Sequence, residues 1–444
     1  MQTRSKESLK RIGMIAYTNY VGDGRVRLEA ESLVQWGYEV YFLVPKTEDT
    51  PRQYALAGVN VIEVNAQEYG GRKKFVYLLS YIVFMTLALI ACTRLYFRRR
   101  LSVIHVHNMP NVLVFATIIP RLFGCRIILD LHDTIIETYE AKFGKSSKIV
   151  LFLLRLEERV CCAIADKIIC VNQVQRDVVL SRGVPAEKVS TVVTMPRFTF
   201  SDSRSVLDSN RSRFRMVNHG TLSKRLGNDL IIDAAAKLVH EIPGFELHII
   251  GAGDGLPEIE SKIKSLGLEQ HIYLHPVVPW DQLPAQLQTM DVGIVANRVN
   301  VATELMLPSK LIDYVVLGIP AIVPRLKAIQ YYFSDEMVTF FTPEDVDSMV
   351  AATISLYRDA ARRRKQAESA KEFVRQNSWE RGGLKKIYDQ LVFGEQNAQY
   401  STVVEDPAPP SLFQENGIND AVSHHASLTG LHTDVQTNRS SLSR

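Results

Sequence analysis

The sequence predicts an α/β protein built from two Rossmann-like, doubly wound domains. The chain has 444 residues, which exceeds one ordinary domain. Short β-rich segments alternate with amphipathic helices in two separate runs, and strands that alternate with helices form parallel sheets with right-handed crossovers. A polar stretch over residues 196–213 separates the two runs, which indicates an interdomain linker.

The first run predicts an N-terminal domain over residues 1–195. Its predicted strands share a high content of Val, Ile and aromatic residues, and they are 12–17, 38–44, 59–64, 102–107, 126–131 and 167–171. The amphipathic segments between them predict helices, notably 24–36, 111–123 and 147–163.

The second run predicts a C-terminal domain over residues 214–377. Its predicted strands are 214–220, 245–251, 271–275, 292–296, 320–324 and 338–342, and residues 345–376 form a closing helix pair. A last amphipathic helix closes the fold over 378–394. Residues 395–444 are rich in Gln, Asn, Ser, Thr, Asp and Pro, and they hold too few large apolar side chains to offset their chain entropy, so we expect a disordered tail.

Composition narrows the class of protein. A hydrophobic content of 46% and a charged content of 23% are typical of a globular chain with sizeable cores. The net charge of +4 is small and no nucleic-acid-binding motif accompanies it, so we expect no nucleic-acid partner. Five cysteines, an odd number, lie in apolar stretches, which predicts buried thiols in a cytoplasmic protein. The basic N-terminus leads straight into a strand, so no secretion signal is visible.

Residues 75–93 form a stretch of nineteen residues without a charge, flanked on both sides by Lys and Arg. The helix predicted over 75–97 contains this stretch, whose length of roughly 28 Å is near that of a bilayer core. The strands on either side fit one sheet, which argues against a crossing helix. The helix is apolar all round and basic at both ends, so we expect peripheral, monotopic association with the inner face of the membrane. A helix covered within the domain is the alternative.

The segment 296–320 holds the most informative group of polar residues. Glu304 is followed by a Pro-Ser-Lys turn that contains Ser309 and Lys310, and Asp313 lies one helical turn further on. A loop that leads into a helix N-terminus offers backbone N–H groups to an anion, and Lys310 adds a positive charge. Asp313 can accept hydrogen bonds from a sugar diol. The pattern favours a sugar-nucleotide site, and an ordinary helix start is the alternative.

Other polar candidates stand at predicted strand ends, where ligands bind in open parallel sheets. They are His105, His107 and Asn108 after one strand, and Asp130, His132 and Asp133 after the next. A histidine at such a position is often only a hydrogen-bonded structural residue. The sequence Asp-Val-Asp at 345–347 superficially matches a metal-binding pattern, but acidic residues there favour a helix N-terminus.

The segment 296–320 resembles the donor-binding helix of retaining glycosyltransferases of family 4, which have the GT-B fold. Leu-Pro-Ser-Lys-Leu-Ile-Asp-Tyr is similar to a variant of that helix, with Asp313 at the second of two acidic positions and Glu304 beside the first. The stretch 219–230 resembles the segment that holds the donor diphosphate with two cations. Thr221 stands where the family has Arg, and Arg225 lies near the Lys position.

The motifs Asp-Leu-His-Asp (130–133), His-Val-His-Asn (105–108) and Asp-Gly-Arg-Val (23–26) also resemble that family, and the likeness spans about residues 12–392. It implies a GT-B enzyme whose two domains face each other across a cleft. The implied catalytic residues are His132, Arg225 and Lys310. The implied donor-binding residues are Gly220, Thr221, Arg225, Gly251, Gly253, Glu304, Ser309, Lys310 and Asp313. The implied acceptor-side residues are Asp23, Arg25, His107, Asn108 and Asp133.

The resemblance implies transfer of a hexose from a nucleoside-diphosphate sugar, with retention, to a lipid-linked saccharide in surface polysaccharide or glycoconjugate synthesis. No cofactor and no metal is expected, because cationic side chains do the work that a metal does elsewhere. The expected partners are the nucleotide-sugar donor, the lipid-linked acceptor and the cytoplasmic membrane leaflet. The alternatives are an inactive GT-B scaffold at the membrane and a non-hydrolysing UDP-sugar 2-epimerase.

Overall fold

The computed structural model describes residues 10–47, 50–67, 74–196, 213–279, 282–377 and 383–394. Its first sheet has eight strands in the order β3-β4-β2-β1-β5-β6-β7-β8. They are β1 (Arg11–Ile15), β2 (Glu39–Lys46), β3 (Gln53–Leu56), β4 (Val59–Gln67), β5 (Val103–His107), β6 (Arg126–Leu131), β7 (Lys167–Cys170) and β8 (Val189–Thr191). Neighbouring strands are parallel, except that β3 pairs antiparallel with β4.

The second sheet has six strands, all parallel, in the order β11-β10-β9-β12-β13-β14. They are β9 (Phe214–His219), β10 (Phe245–Ile250), β11 (Ile272–His275), β12 (Val292–Ile294), β13 (Ala321–Pro324) and β14 (Thr339–Phe341). The central strands are buried on both faces, as expected where helices cover both sides of a parallel sheet.

Helices connect the strands of both sheets. In the first half they are α1 (Gly24–Gln35), α2 (Lys74–Arg99), α3 (Ile118–Leu122), α4 (Ile135–Phe143), α5 (Lys148–Ile164) and α6 (Gln173–Ser181). In the second half they are α7 (Asn228–Glu241), α8 (Leu256–Ser265), α9 (Leu283–Leu287), α10 (Ser309–Val316), α11 (Lys327–Tyr332), α12 (Val346–Arg358), α13 (Ala360–Asn377) and α14 (Leu384–Phe393). Short 3₁₀ segments occur at Asn111–Thr117, Ala186–Lys188, Lys224–Leu226 and Thr303–Leu305.

The direction of each crossover decides which face of the first sheet a helix covers. From β4 onward the chain advances through β5, β6 and β7 in one direction, so the right-handed rule places α2, α3 and α5 on one face. The step from β1 to β2 runs the other way and places α1 on the opposite face. The packing agrees, because buried residues of α2 and α5 share one apolar cluster while those of α1 share another with α14.

The strand order reverses between β1 and β5 in the first sheet and between β9 and β12 in the second. Ligand sites in such sheets lie beyond the carboxyl ends of the strands at these points. The two edges meet, because Asn172, just past β7, donates a hydrogen bond of 2.8 Å from Nδ2 to the carbonyl oxygen of Leu305. The backbone N–H of Gln173 likewise donates to the hydroxyl of Tyr332, at 2.7 Å.

The predicted strands and the two-sheet architecture are confirmed, with three differences of detail. Strands β3 and β8 are not among the predicted strands, because they have only four and three residues and therefore show little periodicity. The helix predicted over 111–123 is instead a 3₁₀ segment followed by α3. Pro120 explains part of this, because it has no N–H to donate to the carbonyl four residues earlier.

The five cysteines lie in buried positions and are free, as predicted. Most of the predicted linker, residues 197–212, and the predicted disordered tail from residue 395 lie outside the described residues.

Among the described residues one helix, over Leu79–Arg99, is long and apolar enough to cross a membrane by length and composition. It belongs to α2, which lies along the first sheet. Phe84, Ala88, Cys92 and Tyr96 are buried against the core, at the four-residue spacing of one helix face. Only 28% of the most apolar window is buried, so much of its apolar surface faces outward.

Candidate active site

Two glycine-containing loops cross at the carboxyl edge of the second sheet. Gly220 follows β9 with φ +97°, and the backbone N–H of Leu222 donates to Ala252 in the loop after β10, at 2.9 Å. A Cβ on Gly251 would lie 2.0 Å from the Gly220 oxygen, and one on Gly253 would lie 2.1 Å from the Leu222 oxygen. Gly251 and Gly253, named above as implied donor-binding residues, are therefore required first by the close approach between these two loops.

Lys310 is brought against this turn by α10. Its side chain runs past Gly220, where an added Cβ would meet the Lys310 Cε at 3.9 Å. The ammonium donates to Asn218 Oδ1 at 2.9 Å. Burial lowers the pKa of Lys310 to about 8, although the charge of Asp313 partly counters this. Asn218 in turn donates to Asn228 at 2.6 Å, so the amide oxygen faces the lysine.

Asp313 lies one turn after Lys310 and near His219, the last residue of β9. Its Oδ2 is 3.5 Å from His219 Nε2, and its side chain keeps 16% of its exposure. Burial raises the pKa of Asp313 to about 7, against the opposing effect of Lys310. Burial and the charge of Lys310 lower the pKa of His219 to about 3, so that ring is neutral. This arrangement offers an acceptor oxygen pair beside a buried cation.

Arg225 and Thr221 lie on the exposed part of the loop that follows β9. Arg225 belongs to the 3₁₀ segment Lys224–Leu226, and no ion pair of its side chain occurs within the described ranges. Arg298 fixes that segment, since its Nε donates to the Lys224 oxygen at 3.2 Å and its Nη2 contacts Asp229 at 2.6 Å. Arg225 therefore stands on a braced turn with its guanidinium uncommitted among those residues.

Glu304 lies in the segment that precedes α10, and Ser309 lies at the start of that helix. Ser309 is exposed as the first residue of α10, after Pro308. Glu304 accepts a hydrogen bond of 2.7 Å from the backbone N–H of Lys327, the first residue of α11. The carboxylate that the sequence analysis assigned to the donor thus stabilises a helix start in this structure.

At the carboxyl edge of the first sheet, Asp130 is the centre of a buried charged cluster. Nη2 of Arg25 lies 3.1 and 3.0 Å from its two carboxylate oxygens, and Nε of Arg25 is 3.5 Å from Glu29. Burial alone would raise the pKa of Asp130, but the Arg25 charge, His132 and two histidine hydrogen bonds hold it well below its usual range. Burial and the Asp130 charge raise the pKa of Glu29 well above its usual range.

His132 connects this cluster to the cleft. Its Nε2 lies 3.0 Å from Asp130 Oδ2 and 3.0 Å from His107 Nδ1. Burial, and then the neighbouring His105, lower the pKa of His107 well below its usual range, so that ring is neutral. The His132 side chain is 19% exposed, whereas His107 is fully buried. His132 is therefore the histidine of the group that can contact a substrate.

The remaining acceptor-side candidates hold the local backbone. Asn108 is buried, and its side chain donates to the Asp133 carbonyl at 2.7 Å and accepts from the His132 N–H at 2.7 Å. Asp23 caps α1 by accepting from the Arg25 N–H at 3.2 Å. Asn108 and Asp23 thus orient loops, and Arg25, whose side chain is 19% exposed, provides the counter-charge for Asp130.

Four ligand atoms in the first domain lie close enough to hold a metal ion. One atom each from Glu29, His105, His107 and Asp130 falls within 4.8 Å of the others. Arg25 already provides a positive charge there, through its contacts with both carboxylates. The Asp-Val-Asp segment is not part of this group. Asp345 instead caps α12 by accepting a hydrogen bond of 3.0 Å from the Ser348 N–H, as expected for a helix N-terminus.

Some residues of these sites carry a weak sequence signal. Asn218 and His219 end a strand, but their role depends on α10, which comes about ninety residues later in the chain. Tyr388 of α14 contacts His105 Nδ1 at 2.5 Å from the opposite end of the sequence. In the sequence, nothing distinguishes Glu29 from other glutamates on helices, because its contacts with the buried cluster appear only in the structure. The strand-end rule finds the first two positions, whereas no local pattern finds the other two.

Family models match both halves of the chain. The model described as Glycosyltransferase Family 4 matches residues 25–194, and the model described as Glycosyl transferases group 1 matches residues 200–373. Together they cover more than half of the chain. With two parallel α/β domains and polar residues at both facing edges, the chain belongs to the GT-B glycosyltransferases. No curated protein matches it.

Solved structures share the fold at low sequence identity. Sucrose-phosphate synthase (tll1590) from Thermosynechococcus elongatus is similar with a TM-score of 0.69 and 18% identity, over 86% of this chain and 99% of that one. Anabaena Alr3699/HepE in complex with UDP and glucose is similar with a TM-score of 0.60 and 15% identity, over 88% of this chain and 98% of that one. The lipopolysaccharide outer core galactosyltransferase WaaB is similar with a TM-score of 0.55 and 13% identity, over 88% of this chain and 100% of that one. At these identities the likeness establishes the fold.

Proposed function

We propose that this glycosyltransferase moves a hexose from a nucleoside-diphosphate sugar, with retention of configuration, to a lipid-linked saccharide at the cytoplasmic face of a membrane. The observation that carries the donor half is the position of Lys310. Its buried ammonium lies beside the Gly220 turn at the start of α10, with Asp313 one turn further along. A diphosphate fits the cation and the helix N-terminus, and a ribose diol fits the carboxylate.

The donor fits chemically without a metal. The charge that develops on the departing diphosphate would be stabilised by Lys310, by Arg225 on its exposed turn, and by backbone N–H groups. Anabaena Alr3699/HepE, which shares the fold, is described in complex with UDP-glucose. That description supports a nucleotide sugar as the donor of this chain.

The reaction is a displacement at the anomeric carbon. The acceptor hydroxyl oxygen forms a bond to that carbon, the bond from the carbon to the phosphate oxygen breaks, and the hydroxyl proton passes to the departing diphosphate. Both events on one face of the sugar give retention. His132, oriented through Nε2 by Asp130, would hold the sugar by accepting a hydrogen bond from a sugar hydroxyl at Nδ1.

The lipid acceptor is proposed from α2. Both strands that flank this helix belong to one sheet, so a crossing orientation would place parts of that sheet on opposite sides of a bilayer. An outward apolar face with basic residues at its end suits the membrane surface instead. The similarity to a lipopolysaccharide galactosyltransferase agrees with a glycolipid acceptor.

The test is release of nucleoside diphosphate from UDP-, GDP- and ADP-sugars, with a membrane lipid extract as acceptor and EDTA present. We expect lipid-dependent release from one donor, and a product whose anomeric configuration, read by NMR, matches the donor. Inverted product would refute retention, and a requirement for added divalent metal would refute the cationic mechanism. A C2-epimerised nucleotide sugar formed without lipid would support the epimerase.

Two binding measurements distinguish an inactive scaffold from an active transferase. A scaffold without catalysis would bind no donor in calorimetry, or would bind one without turnover in the presence of every lipid fraction. An active transferase binds one nucleotide sugar more tightly than the others, and Lys310→Ala weakens that binding.

A further inference from the structure

A second helix on the face that carries α2 has an unusual surface. On α5, five large apolar side chains are exposed: Ile149 (73%), Phe152 (64%), Leu153 (54%), Leu156 (47%) and Val160 (39%). Their spacing of three, one, three and four residues puts them on one side of the helix. Soluble domains place such a stripe inward, so an outward stripe indicates a surface that binds something.

The inward side of α5 is packed in a way that fixes this orientation. Cys161 and Cys162 are buried in the cluster that also holds residues of α2. Both carboxylates of the helix are bonded inside, since Glu157 accepts from Asn111 Nδ2 at 3.0 Å and Glu158 accepts from Arg182 at 2.6 Å. The acidic groups therefore face the domain, and the apolar stripe cannot rotate inward without breaking these bonds.

The exposed side of α5 is positively charged around the stripe. Lys145 and Lys148 stand at its beginning, and Arg155 and Arg159 lie among the exposed apolar residues. An apolar stripe flanked by Lys and Arg, with no carboxylate on the same side, is the pattern of a helix that lies in the interface of an anionic bilayer. A surface that binds another protein would be expected to include polar groups of both charges that pair with the partner.

Exposed apolar side chains also occur at the end of α3, next to α2. Leu122 and Phe123, at the end of α3, are exposed, and the Phe123 ring lies 5.1 Å from that of Phe97 on α2. Because α2, α3 and α5 cover the same face of the first sheet, their outward sides face the same way. A membrane surface on that side can therefore contact all three helices.

We propose that α5 is a second membrane-docking helix, and that it inserts Phe152, Leu153 and Leu156 into an anionic leaflet while its basic residues contact lipid phosphates. The inference rests on the membrane location proposed above and adds a second anchor to α2. Two anchors on one face fix the rotation of the domain about α2, which a single helix lying in the membrane plane cannot do. The cleft edge is thereby held at a constant height above the lipid headgroups.

The experiment uses the full chain with vesicles of phosphatidylcholine and phosphatidylglycerol. Phe152→Glu with Leu156→Glu is expected to lower vesicle partitioning about tenfold per substituted side chain. Val277→Glu is the matched control, because Val277 is equally exposed (66%) but follows β11 in the second domain. Partitioning of the Val277→Glu variant that equals wild type, together with loss in the α5 variant, supports the proposal.

A conservative substitution guards against misfolding. Phe152→Trp should give fluorescence that brominated lipid quenches more than in wild type, and Val277→Trp should not. Equal partitioning of wild type and the α5 double variant would overturn the proposal, as would wild type that binds no vesicles. A wild-type dimer in light scattering that the α5 variant converts to monomer would also overturn it, and would assign the stripe to a second copy of the chain.

Donor binding separates this inference from the proposed function. The α5 double variant should bind the nucleotide sugar with wild-type affinity in calorimetry. Retained donor binding with lost partitioning isolates the docking role. Donor turnover in wild type without any vesicle binding would sustain the transferase and reject the docking surface.

Discussion

At the scale of single residues, substitution of Lys310 is expected to lower the rate of transfer most. Its ammonium is buried beside Gly220 and bonded to Asn218. We expect Lys310→Ala to lower kcat by about 10²–10³, because removal of one preorganised charge-stabilising donor has that effect. The measurement is the rate of nucleoside diphosphate release at saturating donor. Lys264→Ala, an exposed lysine on α8, should leave the rate unchanged, and an equal loss in both would contradict a specific role.

The pKa values of Asp313 and Lys310 predict a narrow pH optimum for donor binding. Asp313, with its pKa raised to about 7 by burial, gains a proton as the pH falls and can no longer accept two hydroxyl bonds. Lys310, with its pKa lowered to about 8 by burial, loses its charge as the pH rises. We therefore expect kcat/KM for the donor to be greatest between these values and to fall on both sides.

Asp313→Asn provides the control for that profile. The variant should bind the donor more weakly near neutral pH and should lose the acidic limb, because the amide does not titrate. A profile whose acidic limb is unchanged in this variant would assign that limb to another group.

Arg25 is expected to stabilise the fold through Asp130. Arg25→Leu would leave Asp130 buried without its main counter-charge, which costs about 3 kcal/mol in unfolding free energy. Because Arg25 depresses the pKa of Asp130, its contribution is present at neutral pH and is lost as the pH falls through that pKa. Urea unfolding of the variant should therefore approach wild type in acid.

Two further variants test the assignment to Asp130. Adding Asp130→Asn to Arg25→Leu should recover part of the loss, since the buried charge is then gone. Lys237→Ala breaks the exposed pair with Asp347 and should change stability by less than about 1 kcal/mol. No recovery in the double variant would mean that Arg25 acts by packing alone.

At the scale of elements, the crossed loops after β9 and β10 form the floor of the donor site. Gly253→Ala places a methyl group 2.1 Å from the Leu222 oxygen, so the loops must separate. We expect weaker donor binding with only a small fall in Tm, because the strands beneath are unchanged. Gly22→Ala is the control, since its Cβ would meet nothing nearer than 3.9 Å. Unchanged donor affinity in Gly253→Ala would show that the donor does not use this floor.

The elements also show how far sequence reasoning extends. In β6 the apolar run Ile127–Leu129 leads into Asp130, and both the strand and its candidate site could be predicted from that pattern. Glu304 could not be assigned in this way, because its partner is the backbone of Lys327 on another helix. Gly251 was assigned to donor binding, but the backbone that it approaches belongs to a loop about thirty residues earlier. Local patterns identify elements, whereas partners depend on tertiary contacts.

At the scale of the whole molecule, the last described helix belongs to the first sheet although it follows the second. Leu384, Ile387, Tyr388 and Val392 of α14 are buried in the cluster that contains β1, β5 and α1. The Tyr38 hydroxyl donates to Asp389 at 2.6 Å on the same helix. The stability of the N-terminal domain therefore depends on residues near the other end of the sequence.

Two truncations test this dependence against each other. A chain ending at Asn377 lacks α14 and should lose on the order of 5 kcal/mol, because several large apolar side chains leave the core. Hydrogen exchange should then increase in β5 and α1, which contact α14, while the second sheet keeps its protection. A chain ending at Gly394 keeps every described contact of α14 and should exchange like the full chain. Protection of β5 that survives removal of α14 would mean that the first domain folds independently, and that the helix serves only to join the two halves.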